Sequence, residues 1–264
     1  MGADTATDPG ARALAPRPIL LPGITESIFA GVEPLLQRLR EPLKVHRPVF
    51  PVARDGGSSP TGDTCHGCAC QESQLRWADQ SVKGMIRLVG PGGAGKSTVG
   101  LLLGQRLGVP FVDLDEEFVA NVGDISRYLE SHGYDAYAKR NVDVYFTTLA
   151  AAAGREVVLA LSSGFMTYRP DIHPAYKSCR RDIASSPSTF VLLPSLEFET
   201  CVSETVRRQL IRPFARSADC EEQVIRTRFP SYLNIPATKV ETMRPVREVV
   251  DEIAAAQQAA AARG

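Results

Sequence analysis

The chain has 264 residues and carries 30 Lys and Arg against 30 Asp and Glu, so its formal net charge is zero. That balance argues against a protein held to nucleic acid by bulk positive charge. Hydrophobic residues make up 44%, which excludes a wholly disordered chain and suffices for a real core. No apolar run reaches the roughly 18 residues of a membrane span. Residues 1–18, rich in Ala and Pro, lack the apolar centre of a signal peptide. Six Cys in this length make no disulfide framework, so the expectation is a reduced, cytoplasmic protein.

Composition divides the chain near residue 84. Residues 1–84 hold nine of the 19 prolines and the stretch Asp55-Gly56-Gly57-Ser58-Ser59-Pro60, a loop or linker composition. Proline removes backbone donors and stops helices, so this extension is expected to be largely irregular. The exception is residues 25–40, where Ile28, Val32, Leu35, Leu36 and Leu39 fall on one helical face behind a Thr25 cap, interrupted by Pro34. Met85, directly after Gly84, is also a possible translation start, which would make residues 1–84 an extension rather than a functional domain.

Residues 85–264 are patterned as one domain. Short apolar strands are expected over residues 85–89, 110–114, 156–161, 188–193 and 239–242. Helices are expected over residues 97–107, 141–153 and 246–261. Strands that alternate with helices in this way predict a parallel sheet covered on both faces.

The strongest motif is Gly90-Pro91-Gly92-Gly93-Ala94-Gly95-Lys96-Ser97-Thr98, placed between a strand and a helix. It matches the P-loop, Gly-x-x-x-x-Gly-Lys-Ser. Glycines let the backbone wrap phosphates with its N–H groups turned inward, and the following helix aims its N-terminus at the anion. Lys96 then adds charge at the β- and γ-phosphates of a nucleotide, and Ser97 offers a hydroxyl to Mg²⁺. Next comes Phe111-Val112-Asp113-Leu114-Asp115, read as the end of the second strand. Ligands of parallel α/β sheets bind outside the carboxyl ends of strands. Two carboxylates there can divide the work, one supporting Mg²⁺ through water and the other meeting an acceptor hydroxyl.

With these motifs in order, the chain from residue 85 to about 253 resembles the shikimate kinases. Asp113-Leu114-Asp115 is similar to the family's Asp-x-Asp. The resemblance implies that Asp113 supports Mg²⁺ and that Asp115 contacts the substrate hydroxyls as the base. Residues 125–143 are similar to the family's substrate-binding helices, with Gly133 and Tyr137 at its Gly and aromatic positions. Arg212-Pro213 resembles the Arg-Pro of a lid that closes over ATP, spanning roughly residues 207–228. Arg228-Phe229-Pro230-Ser231-Tyr232 resembles Arg-x-Pro-x-Tyr, whose Arg grips the substrate carboxylate. The resemblance implies a three-layer P-loop kinase with a five-stranded parallel sheet. It also implies ATP, Mg²⁺ and transfer to the 3-hydroxyl of shikimate. The catalytic set is then Lys96, Asp115 and Arg212. Asp115, Ser163, Gly164 and Arg228 bind substrate. The expected partner is a small molecule, with no nucleic acid and no membrane, and the expected state is a monomer.

Three departures from the family stand out. Ala138 stands where a second substrate-gripping Arg is expected, and the neighbouring Lys139 and Arg140 are turned away by helical steps of about 100°. Asn141 replaces an acid, and Ser162-Ser163-Gly164 replaces three glycines. These changes keep two alternatives open: a kinase of another polyol or sugar acid, and a nucleotide-binding regulatory module with a decayed site. Asp115, Arg212 and Arg228 argue against decay, because binding ATP alone would not need all three. Cys65, Cys68 and Cys70 are read as part of a thiol-rich linker in preference to a metal site, since no second ligand pair stands at a set spacing. His132 and His173 have no partner pattern, and Trp77 belongs to a short segment suited to docking on the core.

Overall fold

The central strands are apolar on both faces because both faces are covered. In the computed structural model, which describes residues 84–212 and 217–262, β1 (Met85–Val89), β3 (Val157–Ala160) and β4 (Thr189–Leu193) are buried almost throughout. The shorter β2 (Phe111–Asp113) and β5 (Thr238–Glu241) form the edges. The order is β2-β3-β1-β4-β5, and every neighbouring pair is parallel. Leu88 stands opposite Ala160 on one side and Phe190 on the other.

Side chains alternate across a strand, so each central strand feeds two cores. Ile86, Leu88, Val158, Phe190 and Leu192 face helices α1 (Lys96–Leu107) and α7 (Val246–Ala261), through Val99, Leu103, Val249 and Ile253. Met85, Val89, Leu159, Val191 and Leu193 face the opposite layer. That layer comprises α2 (Leu114–Asn121), α3 (Ile125–Ala152), α4 (Tyr176–Ser185), α5 (Phe198–Leu210) and α6 (Ala218–Leu233). Gly100 brings α1 onto β2, since a side chain there would overlap the Phe111 ring.

Several expectations are corrected. The second strand ends at Asp113, and Asp115 lies in the first turn of α2. The carboxylate of Asp113, the last residue of the strand, favours this turn, because it caps the helix by accepting from the Asp115 N–H. The helix expected over residues 141–153 is the end of a longer one that starts at Ile125. It breaks at Gly133, whose φ of 79° and ψ of 171° suit glycine and interrupt the helical path. The lid expected over roughly residues 207–228 has helix at both ends: Arg207 and Arg208 lie on α5 and Arg228 on α6. His173 has partners after all. Its Nε2 is 3.3 Å from Asp143 Oδ1, and its Nδ1 accepts from the Ala175 N–H. The helix expected over residues 25–40, Cys65, Cys68, Cys70, Trp77 and Pro213 lie outside the described residues.

Candidate active site

The carboxyl ends of β1, β2 and β3 carry, in turn, the P-loop, Asp113 and Ser162-Ser163-Gly164. Three motifs far apart in sequence therefore meet at one edge of the sheet. The loop after β1 turns sharply at Gly90, where φ is 149° and any Cβ would run into the Leu192 carbonyl. Gly95, also left-handed, precedes α1 directly. Lys96 folds back so that Nζ donates to the Gly90 and Pro91 carbonyls at 2.8 and 2.9 Å. Burial pushes this ammonium down to about 8, against the pull of Asp115 and Asp113. A phosphate beside it would raise it again and hold the charged form more firmly.

Asp113 is held at both oxygens. Oδ1 accepts from the Asp115 N–H at 3.0 Å, and Oδ2 accepts from Ser97 Oγ at 2.6 Å. The second bond ties the P-loop helix to the end of β2. Burial raises the Asp115 carboxyl above the usual carboxylate range, with Ser162 opposing the shift. Asp115 Oδ1 and Ser162 Oγ are both buried and make no well-formed hydrogen bond, although Ser162 faces the Asp115 carboxyl closely enough to oppose its shift. Buried polar atoms are nearly always satisfied, and a hydroxylated ligand would complete the set here.

One cleft is lined by Gly92, Gly93, Gly95, Lys96, Ser97, Asp113, Asp115, Ser163 and Arg212, all expected from sequence, together with Leu161 and Gln209. An adjoining cleft, which shares Gly92, Ser163 and Gln209, is lined also by Arg228 from α6. Ala94 instead packs into the core, and Thr98 is exposed outside both clefts. Ala138 is fully buried, while Lys139 and Arg140 are exposed, as the helical spacing requires, with Arg140 beside Asp143 at 3.8 Å. Asn141 is also fully buried, and its Nδ2 donates to Tyr168 Oη at 2.8 Å.

Three contacts had no signal in the sequence. Gln209 lies against Gly92, where an added Cβ would overlap its carboxamide. Arg208 donates to the Gly93 carbonyl and to Thr242. Tyr134 accepts a hydrogen bond from Arg228, 94 residues away. Each is a long-range pairing that no local spacing encodes.

A family model described as "Shikimate kinase" matches residues 92–258, well over half of the chain. The chain belongs to the shikimate kinase family. It is thus a small-molecule kinase. A shikimate kinase of Pseudomonas syringae pv. syringae is 34% identical over 173 residues, covering 64% of this chain and 92% of that one. Another, of Francisella philomiragia, is 31% identical over 173 residues and covers 64% and 91%. The fold is shared with the shikimate kinase of Acinetobacter baumannii, solved in complex with shikimate, at a TM-score of 0.50 and 22% identity. That match covers 67% of this chain and 94% of the other. Among the described residues no helix of this kinase is long and apolar enough to cross a membrane.

Proposed function

We propose that this kinase transfers the γ-phosphoryl group of ATP to the 3-hydroxyl of shikimate. The observation that carries the reading is the Ser97–Asp113 hydrogen bond of 2.6 Å. It joins the phosphate loop to the Asp-x-Asp segment, so that Lys96, Asp115 and Arg212 line the same cleft.

The donor set fits Mg²⁺. Ser97 Oγ and the Asp113 carboxylate are hard oxygens, and Mg²⁺ in phosphate-transfer sites takes one or two carboxylates plus phosphate oxygens rather than an all-protein cage. Ser97 and Asp113 would hold the ion, which when bound neutralises charge on the β- and γ-phosphates. Lys96 and Arg212 offset the charge that spreads over the transferred group. Asp115, whose raised pKa makes it a better proton acceptor than an exposed carboxylate, orients the acceptor hydroxyl and takes its proton. Arg228 holds the substrate carboxylate. Helix α5 ends two residues before Arg212 and α6 carries Arg228, so both arginines reach the clefts.

The same reading makes the protein a cytoplasmic monomer of aromatic amino acid biosynthesis, with residues 1–84 an extension of a kinase domain at residues 85–264. The test is ADP release with ATP, Mg²⁺ and shikimate, run on the full chain and on residues 85–264 in parallel. Shikimate-dependent turnover in both is the expected result. ATP binding without shikimate dependence refutes the substrate and turns the search to other hydroxy acids and polyols.

A further inference from the structure

Arg228 does not stand alone in its cleft. Its Nη2 donates to Tyr134 Oη at 2.9 Å, and its guanidinium carbon lies 6.0 Å from the centre of the Tyr134 ring. The two groups meet over Gly164, where an added Cβ would stand 2.8 Å from Tyr134 Oη and 3.4 Å from Arg228 Nη2. The break at Gly133 turns the chain immediately before Tyr134. The Tyr134 ring is then fixed edge-on against Tyr168, with centroids 6.0 Å apart at 73°, and lies 6.1 Å from Tyr137. Tyr168 is in turn held by the fully buried Asn141.

Ala138, one helical turn after Tyr134, is buried and presents only a methyl group, and the neighbouring cations Lys139 and Arg140 are exposed. Of the two arginines that line the clefts, Arg212 stands with Lys96 and Asp113, and Arg228 stands on the other side of Ser163. A planar guanidinium on a flexible stem must be ordered before it can bind a carboxylate with two parallel hydrogen bonds, and that ordering opposes binding. One arginine working alone depends on such ordering more than two that share the load.

We propose that Tyr134 is a positioning residue for acceptor binding: its phenol oxygen occupies one N–H of Arg228 and sets the plane in which the remaining N–H groups meet the acceptor's carboxylate. The inference rests on the shikimate reading above and assigns to Tyr134 part of the work that a second arginine would do at position 138. Tyr134 acts through Arg228, so its effect falls on acceptor KM and not on the chemical step.

The experiment is a double-mutant cycle on the full chain, read as steady-state kinetics with shikimate at saturating ATP and Mg²⁺. Tyr134→Phe keeps the ring and removes the hydroxyl. It is expected to raise shikimate KM roughly 3- to 10-fold, the value of one such hydrogen bond, with kcat within about twofold of wild type. In an Arg228→Ala background the same change is expected to lower kcat/KM by less than about twofold. An unchanged KM in Tyr134→Phe overturns the proposal. So does an undiminished effect in the Arg228→Ala background, because a hydroxyl that serves only the local packing would act with or without the guanidinium. A wild-type chain that does not turn over shikimate overturns the substrate reading and this inference with it. That failure shows before any variant is made, which keeps the two apart.

Discussion

Gly164 marks the point where Tyr134, Tyr168 and Arg228 converge, and replacing it with alanine separates acceptor binding from folding. Its φ of −96° and ψ of −11° suit any residue, so alanine adds no backbone strain. The new Cβ would lie 2.8 Å from Tyr134 Oη, 3.2 Å from Tyr168 Cε1 and 3.4 Å from Arg228 Nη2. Two of these three atoms are the far ends of long side chains that can move away. The loss of their hydrogen bond, about 1 kcal/mol, is offset by about 0.4–1 kcal/mol gained because alanine has less freedom than glycine when unfolded. Stability should therefore stay within about 1 kcal/mol, a shift in Tm of no more than about 4 °C at this chain length. Acceptor binding has no such compensation. Displacing the guanidinium from a carboxylate it binds bidentately costs about 1.5–3 kcal/mol, or about one to two decades in KM. ADP-release kinetics across a shikimate titration and a thermal melt of the same preparation measure the two quantities. An unchanged KM refutes the placement of Arg228 on the substrate carboxylate. A fall in Tm beyond about 10 °C refutes the reasoning in another way, since the wall around Gly164 would then be rigid packing and not yielding side-chain ends.

Asp115→Asn preserves shape and removes the proton acceptor, so turnover should fall by roughly 10²- to 10⁴-fold while ATP binding, followed by calorimetry, is retained; near-normal turnover removes Asp115 as the base. Gly100→Ala gains about 1 kcal/mol of helix propensity but drives a methyl group into the Phe111 ring, an overpacking cost of about 1–3 kcal/mol. Urea denaturation should show no gain and up to about 2 kcal/mol of loss, and a more stable variant contradicts the packing of α1 on β2. Glu204 is held down to about 2, chiefly by hydrogen bonds from Arg207 and then from Arg208. A lowered carboxylate stabilises the fold above its unfolded pKa of about 4.3, and that contribution fades as pH drops toward 2. Glu204→Gln should therefore lower Tm at pH 7, with the difference closing as the pH falls through this window; a difference that stays constant down to about pH 2.5 refutes it.

Much of the fold was legible because its signals are local. Five short runs became the five strands, within a residue or two at each end; the three central ones are almost wholly apolar because both faces are covered, whereas the edge strand β5 buries only Val240 fully. The P-loop was equally clear: wrapping backbone around phosphate requires glycines and a lysine at set spacing, whatever surrounds them. What needed three dimensions was everything that depends on partners. Whether residues 114–121 extend the strand or start a helix turned on the Asp113 cap. The bond between Ser97 and Asp113 spans 16 residues, and the one between Arg228 and Tyr134 spans 94. No spacing rule reaches that far. Sequence alone could name Ala138, Asn141 and Ser162 as departures from the family, because each is a change of residue type. Only the packed structure showed what those residues do. Ala138 is sealed in the core, Asn141 anchors Tyr168, and Ser162 sets a buried hydroxyl against Asp115. Side-chain partnership is set by the way helices dock on the sheet, and docking is a property of the whole chain rather than of any window along it.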